Sequence, residues 1–297
     1  MEASDELFVT LPNNVKICYQ TFGDPSDPAV IMIPGGTGSM RSWPEKLIQL
    51  FKPSEGGQSY FVVRFDQRDT GRSKEFPVPA DYTVTDMAKD VELLIDHLEL
   101  GSRGFHLVGI SLGGPIAYIT AANKAEQVRS LTLLMCSPGA TPDLPLGPGV
   151  DPGMLPLGFG DMTNEYIDWT MRLYDLLTTK PDPEERKAYL AGVTESTKRE
   201  ARSGTLYSKS LNHGAAGYGP RPGVEILKDL KCAATVVQSA NDPFFSVGHG
   251  EALAAGIKDA EYILWDDVGH EIPKRIWERL AGVLTKTWKR GDDQWVG

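Results

Sequence analysis

Short apolar runs rich in β-branched residues alternate along this chain with stretches whose apolar residues recur at helical spacing, most clearly at 84–98 and 276–288. This alternation predicts an α/β fold, a mostly parallel sheet flanked by crossover helices. Two early runs, 7–11 and 15–21, flank Pro12-Asn13-Asn14 and predict an N-terminal hairpin. Six later runs predict buried strands, at 29–33, 60–65, 105–108, 130–135, 233–238 and 260–265.

The alternation is interrupted between about Ser137 and Leu227. This part of the chain begins with a Pro- and Gly-rich segment, continues with two charged helical stretches at 164–178 and 183–202, and ends glycine-rich at 212–223. Because the strand pattern resumes at Ala233, the interruption predicts a helical cap inserted after the sixth strand. The predicted organisation is a core domain of residues 1–136 and 228–297 with a cap of residues 137–227.

Composition narrows the class of partner. The chain has 297 residues, 41% of them hydrophobic, and a net charge of −10. An acidic chain of this kind is a poor match for nucleic acid or for an anionic membrane surface. No apolar stretch approaches the roughly 20 residues of a membrane span. A small-molecule ligand is therefore favoured, and monomer and homodimer both remain open.

The cysteines and the N-terminus indicate the compartment. The three cysteines form no C-x-x-C pair, which favours reduced thiols in a reducing compartment. The acidic start of the sequence lacks the basic and apolar regions of a signal peptide. We therefore expect a cytoplasmic protein.

The strongest local motif is Gly109-Ile110-Ser111-Leu112-Gly113. It lies between the apolar run 105–108 and a helical stretch that begins at Gly114. A G-x-S-x-G at a strand–turn–helix junction predicts a nucleophile elbow, which exposes a serine hydroxyl at the end of a sheet strand. The glycines are needed because the residues on either side of the strained serine crowd each other. Ser111 is the predicted nucleophile.

A nucleophilic serine needs a base, and the base needs an orienting acid. In elbow-type folds the chain order is Ser, then Asp or Glu, then His. Asp242 and His270 follow the strands at 233–238 and 260–265 in that order. Asp242 could instead be a simple turn former before Pro243, and Asp266 and Asp267 are rival acids that we interpret as solvated loop carboxylates. The remaining histidines lie in a helix, at a strand start, in the cap and near a helix start: His97, His106, His213 and His249.

An oxyanion hole needs two backbone N–H donors. The predicted first donor is the N–H of Leu112, the residue directly after the nucleophile. The predicted second donor is the N–H of Gly36, in the glycine-rich loop after the strand at 29–33, with Gly35 or Thr37 as neighbouring alternatives. The loop could also be a plain glycine turn. Its glycine spacing does not match a dinucleotide fingerprint, so no cofactor is expected, and no metal site is expected either.

Taken together, the chain resembles an α/β-hydrolase over nearly its whole length. Within that superfamily it is most similar to the aclacinomycin methylesterase group, through the 66–73 turn and through Asp242-Pro243, His249-Gly250 and Gly269-His270. That group hydrolyses methyl esters on polyketide-derived rings, so the resemblance implies a carboxylic ester hydrolase of secondary metabolism acting on a hydrophobic small molecule. The motifs carrying the superfamily resemblance are Pro34-Gly35-Gly36, the turn Asp66–Ser73, the Ser111 elbow, Asn241-Asp242-Pro243 and Val268-Gly269-His270.

Two comparisons limit this resemblance. The charged 66–73 turn, which also resembles one in proline iminopeptidases, is expected to be structural. Epoxide hydrolases and haloalkane dehalogenases resemble the fold but need a carboxylate where this chain has Ser111. Ester hydrolysis through an acyl-enzyme is therefore the leading hypothesis. The alternatives are C–C bond cleavage, lactone opening or acyl transfer with the same triad, and a ligand receptor derived from a hydrolase.

The first part of the cap is rich in apolar, aromatic and methionine side chains. Such a segment predicts an apolar pocket, although many of these residues must also pack as core. The predicted substrate contacts are Met154, Leu157, Phe159 and Trp169.

Overall fold

An eight-stranded sheet forms the centre of the computed structural model, which describes residues 1–51, 58–139, 141–147, 162–180, 182–200, 212–221 and 223–296. The strand order is β1-β2-β4-β3-β5-β6-β7-β8. The β1–β2 and β2–β4 pairs are antiparallel, and all the other pairs are parallel. The strands are β1 Leu7–Thr10, β2 Lys16–Phe22, β3 Ala29–Ile33, β4 Phe61–Phe65, β5 Phe105–Ile110, β6 Val128–Leu134, β7 Ala233–Ser239 and β8 Glu261–Trp265.

Helices follow most of the parallel strands. The α-helices are α1 Glu45–Ile48, α2 Val84–His97, α3 Gly113–Asn123, α4 Met162–Leu177, α5 Pro183–Glu200, α6 Gly223–Ile226, α7 Val247–Gly256 and α8 Trp277–Gln294. Short 3-10 turns lie at Met40–Ser42, Gly101–Arg103, Leu227–Asp229 and Lys274–Ile276. The helix α2 begins with a capping box in which the Thr83 hydroxyl accepts the Asp86 N–H and the Asp86 carboxylate accepts the Thr83 N–H.

The two faces of the sheet bury separate cores, because successive strand residues point to opposite sides. On β3, Ile31 belongs to the core that includes α2 and α3. Its neighbours Val30 and Met32 belong to the core that includes α8. All three side chains are almost completely buried. Helices therefore cover both faces of a mostly parallel sheet, and the predicted fold class is confirmed.

The helices α4 and α5 lie between β6 and β7 in the chain, as predicted for an insertion after the sixth strand. The division into a core domain and a cap, with its boundaries near 137 and 227, stays a prediction. Within the described ranges, no helix is both long and apolar enough to cross a bilayer.

The three cysteines are free thiols. Cys18 and Cys136 are buried, and Cys232 is partly exposed. Burial raises the pKa of the Cys18 and Cys232 thiols to about 12, so both stay protonated and unreactive at neutral pH.

Candidate active site

Ser111, Asp242 and His270 lie at the carboxyl edge of the sheet. Ser111 directly follows β5, while Asp242 and His270 lie in the loops after β7 and β8. Because β5 to β8 run parallel, their carboxyl ends meet at one edge. The sheet thus places at one edge the three residues that the sequence predicts as a triad, and their joint action as a triad stays a prediction.

The turn at Ser111 has the strained geometry expected of an elbow. Ser111 has a φ of +53°, which is uncommon for a residue with a side chain. Its N–H donates to the Leu134 carbonyl at 3.0 Å, and its carbonyl accepts the Gly114 N–H at 2.9 Å. A Cβ on Gly109 would overlap the Gly113 carbonyl, and a Cβ on Gly113 would lie 2.5 Å from the Ile33 carbonyl oxygen. Glycine is therefore required at both flanking positions.

Gly109→Ala should destabilise the protein by about 3 kcal/mol, the upper end for overpacking, because the added methyl meets a backbone carbonyl that cannot move aside. Urea unfolding measures the loss. Gly282→Ala is the matched control, since a Cβ there meets nothing within 4 Å on the helix α8, and it should stabilise by up to about 1 kcal/mol. An unfolding midpoint for Gly109→Ala equal to that of the wild type would contradict the crowded elbow.

The Asp242 side chain is fully buried, and both of its carboxylate oxygens accept hydrogen bonds. Its Oδ2 lies 2.7 Å from His270 Nδ1, and its Oδ1 accepts the N–H groups of Phe244 and Phe245 at 2.8 and 3.0 Å. A carboxylate can only accept, so His270 Nδ1 carries a proton and donates it to Asp242. This arrangement leaves His270 Nε2 as the ring nitrogen that can act as a base.

The rival acids lie elsewhere. Asp266 is exposed, and Asp267 pairs with Arg279 at 2.7 Å. The hydrogen bond from Arg279 lowers the pKa of the Asp267 carboxyl. The partner of His270 in the structure is Asp242.

Two aromatic rings and the end of α4 contact His270. The rings of Phe244 and Phe245 meet the imidazole edge-on, with centroids 4.9 and 5.6 Å away. The His270 N–H donates to the carbonyl of Leu177, the last residue of α4, at 3.0 Å. A Cβ on Gly269 would overlap that same carbonyl. The end of α4 therefore contacts the histidine loop directly, a contact with no signal in the sequence.

The glycine-rich loop after β3 lies against the elbow. A Cβ on Gly35 would be 3.2 Å from the Ser111 Cβ, and one on Gly36 would be 3.6 Å from the Leu112 Cδ2. Over the described part of the chain, the N–H groups of Gly35, Gly36 and Leu112 have no hydrogen-bond acceptor, whereas the Thr37 N–H donates to His213 Nδ1 at 3.0 Å. Their role as oxyanion donors stays a prediction, whereas the N–H of the alternative donor Thr37 is occupied by His213.

The charged turn at 66–73 makes internal contacts that support its predicted structural role. Arg68 forms a bidentate ion pair with Asp90 at 2.7 and 2.8 Å. Asp69 accepts the Phe76 N–H at 2.6 Å and the Tyr82 hydroxyl at 2.7 Å. The Arg68 charge is thus paired with a carboxylate, and the Asp69 carboxylate is hydrogen-bonded within the protein.

Arg199, near the end of α5, joins this part of the chain to the N-terminal hairpin. Its guanidinium pairs with Glu6 at 2.6 Å and with the fully buried Asp66 at 2.8 Å. Burial raises the pKa of the Asp66 carboxyl, and the ion pair with Arg199 opposes that shift. This contact has no signal in the sequence, because an arginine on a charged helix is usually solvated.

Arg199→Met should destabilise the protein by about 3–5 kcal/mol, because it leaves the buried Asp66 without its cation. Chemical denaturation provides the measurement. Arg186→Met on the same helix is the control: Arg186 pairs with Asp175 at 2.7 Å, but both side chains are more than 40% exposed, so its effect should be small. Equal losses in the two variants would argue against a buried anchor.

The predicted substrate contacts fall mostly beyond the described residues. Met154, Leu157 and Phe159 lie outside them. Trp169, on α4, is 8% exposed and packs against Tyr166 and Leu173. Its predicted contact with substrate stays a prediction.

Comparison with known proteins places this geometry in context. Residues 28–274 match the model of the family described as the alpha/beta hydrolase fold. The chain is 25% identical to the rhodomycin D methylesterases DauP of Streptomyces sp. (strain C5) and DnrP of Streptomyces peucetius, over 92% of this chain and 94% of each relative. Among solved structures, the esterase RhEst1 from Rhodococcus sp. ECU1013 is similar in fold, with a TM-score of 0.72 and 17% identity over 96% of this chain and 99% of that one.

Proposed function

This chain belongs to the alpha/beta hydrolase fold family, and we propose that it is a serine hydrolase that cleaves carboxylic esters of hydrophobic small molecules. The observation that carries the proposal is the buried 2.7 Å pair of His270 and Asp242 at the sheet edge where the Ser111 elbow lies. A histidine held in one tautomer by a carboxylate is what an elbow serine needs as its base.

In the first half of the reaction, the Ser111 hydroxyl attacks the ester carbonyl while His270 Nε2 takes its proton. Asp242 keeps the imidazole in the required tautomer and stabilises the imidazolium. The Leu112 N–H and the Gly36 N–H, with Gly35 as the neighbouring candidate, donate to the oxyanion of the tetrahedral intermediate. His270 then protonates the leaving alcohol, and the acyl group remains on Ser111 as an ester.

In the second half, water replaces the alcohol. His270 Nε2 takes a proton from the water, whose oxygen attacks the acyl carbonyl. The new tetrahedral intermediate occupies the same donors, and its collapse releases the carboxylic acid and returns the proton to Ser111. Every group required is a side chain or backbone amide of this chain.

We propose a methyl ester of a polyketide-like ring compound as the substrate class. The two methylesterase relatives, which match nearly the whole chain, support the methyl ester. The apolar and aromatic side chains beside the nucleophile and the base support a hydrophobic substrate: Ile110, Leu112, Phe244 and Phe245.

We also propose that the enzyme acts in the cytoplasm. The free thiols of Cys18, Cys136 and Cys232 support a reducing compartment.

A fluorophosphonate probe tests the proposal directly. Intact-protein mass spectrometry should find one adduct on the wild type and none on Ser111→Ala. A panel of aromatic methyl esters, p-nitrophenyl esters, lactones and vinylogous 1,5-diketones then identifies the bond that is cleaved. A folded wild type that neither takes up the probe nor hydrolyses any ester would overturn the proposal. Turnover confined to the lactones or diketones would replace ester cleavage with ring opening or C–C cleavage.

A further inference from the structure

We propose that His213, in the predicted cap, is a positioning residue for the oxyanion hole: it holds the Thr37 N–H and thereby fixes the turn that presents the Gly36 N–H. The proposal rests on the proposed function, since it assigns His213 a part in the same reaction. His213 lies 176 positions from Thr37 in the sequence, and its Nδ1 accepts the Thr37 N–H at 3.0 Å.

The backbone at Thr37 needs a partner of this kind. Its φ of +61° lies in the left-handed region, which a β-branched residue rarely adopts. Such a conformation is strained and persists only where the surroundings impose it. The hydrogen bond to His213 stabilises this conformation, because it is made by the N–H of the strained residue itself.

The strained residue sets the direction of the neighbouring donor. The Gly38 N–H donates to the Gly35 carbonyl at 3.2 Å, which closes a turn with Gly36 and Thr37 at its centre. Gln67 Nε2 also lies 3.4 Å from the Gly35 carbonyl oxygen. In a trans peptide the C=O and the following N–H point in opposite directions, so the Gly36 N–H points away from these groups. The turn therefore aims this N–H only while it stays closed.

His213 is itself held firmly. Its Nε2 lies 2.9 Å from the carbonyl oxygen of Arg68, and the residue is 5% exposed. Since Nδ1 accepts a hydrogen bond, Nε2 carries the proton and donates to that carbonyl. Arg68 is fixed in turn by its bidentate ion pair with Asp90. The His213 imidazole thus connects the Arg68 carbonyl, in the turn at 66–73, with the Thr37 N–H.

The main experiment measures how His213→Ala affects the chemical step. We expect kcat for an activated ester to fall about 10- to 100-fold, somewhat less than for direct removal of an oxyanion donor. KM should change less than about twofold, because the ground-state ester makes little use of the oxyanion donors. The Ki of a trifluoromethyl ketone, whose adduct with the serine carries an oxyanion, should rise by about the same factor as kcat falls.

Two further substitutions distinguish the hydrogen bonds made by the two ring nitrogens of His213. His213→Asn places an amide oxygen near the position of Nδ1, so it can still accept the Thr37 N–H and should recover a large part of kcat. His213→Gln reaches toward the Arg68 carbonyl but offers Thr37 no acceptor, so it should resemble alanine. A simple loss of packing would not rank the variants in this order.

Asn212→Ala is the matched control. Asn212 precedes His213 and is also buried; it donates to Asp69 at 3.0 Å and accepts the Ala80 N–H at 2.9 Å. It makes no contact with Thr37 among the hydrogen bonds of the described residues. Its removal should lower the Tm while leaving the Ki of the ketone unchanged.

An unchanged kcat and Ki in His213→Ala would overturn the inference while leaving the proposed function in place. Equal changes of Ki in His213→Ala and Asn212→Ala would also overturn it. Where the alanine variant fails to fold, His213→Gln decides: reduced kcat with raised Ki supports the inference, and wild-type values refute it. If the wild type shows no ester turnover that is lost in Ser111→Ala, both proposals are overturned.

Discussion

Replacing Ser111 with alanine is expected to lower kcat for ester hydrolysis by about 10⁴-fold or more. The acyl-enzyme cannot form without the hydroxyl, and only the oxyanion donors and binding contacts remain to assist direct attack by water. The fold should survive, because the contacts that shape the elbow are backbone hydrogen bonds to Leu134 and Gly114. Initial rates with an activated ester, together with the Tm of both proteins, measure the two effects.

A second serine near the site provides the control for that experiment. Ser246 precedes α7, is exposed, and makes no capping hydrogen bond through its side chain. Ser246→Ala should keep wild-type kcat and Tm. If Ser111→Ala retained more than about a tenth of the activity, a different nucleophile would have to be sought.

Asp242→Asn should lower kcat by about 10³- to 10⁴-fold with little change in stability. The amide oxygen can still accept the Phe244 and Phe245 N–H groups, so the loop keeps its shape. The amide nitrogen, however, faces His270 Nδ1 as a donor, which favours the tautomer that has its proton on Nε2. A histidine protonated there cannot take the proton of Ser111.

The rival acid serves as the comparison for this prediction. Asp267→Asn removes a carboxylate three positions before His270 that pairs with Arg279 instead. It should leave kcat within about twofold of the wild type. A larger loss from Asp267→Asn than from Asp242→Asn would transfer the orienting role to Asp267.

The sheet could be predicted because its strands carry a local signal. A fully buried parallel strand is a short continuous apolar run. The strand β3 has that form with every residue buried, and β4, which is also fully buried, has it apart from Arg64. The elbow could be predicted for a similar reason, since the glycines at 109 and 113 are imposed by contacts that recur wherever a serine sits on such a turn. Asp242 and His270 followed from their positions after strands.

The contacts made by the predicted cap could not be predicted in this way. Arg199, His213 and the Leu177 carbonyl each reach a partner more than 90 positions away, and the partner depends on how helices are placed over the sheet. Sequence spacing also could not decide between the N–H groups of Gly36 and Thr37, because both follow the same strand. The hydrogen bond from Thr37 to His213 separates them, and it exists only in the folded protein.

The hydrogen bond between the His270 N–H and the Leu177 carbonyl limits how far this enzyme can be treated as a modular assembly. Engineers often exchange the insertion of such a fold to graft a new specificity onto an existing active centre. Here a foreign insertion would also have to end its first helix with a carbonyl at this spot, facing a glycine at position 269. A chimera that exchanges this segment would therefore need crossover points that keep the Leu177 carbonyl in contact with the His270 loop.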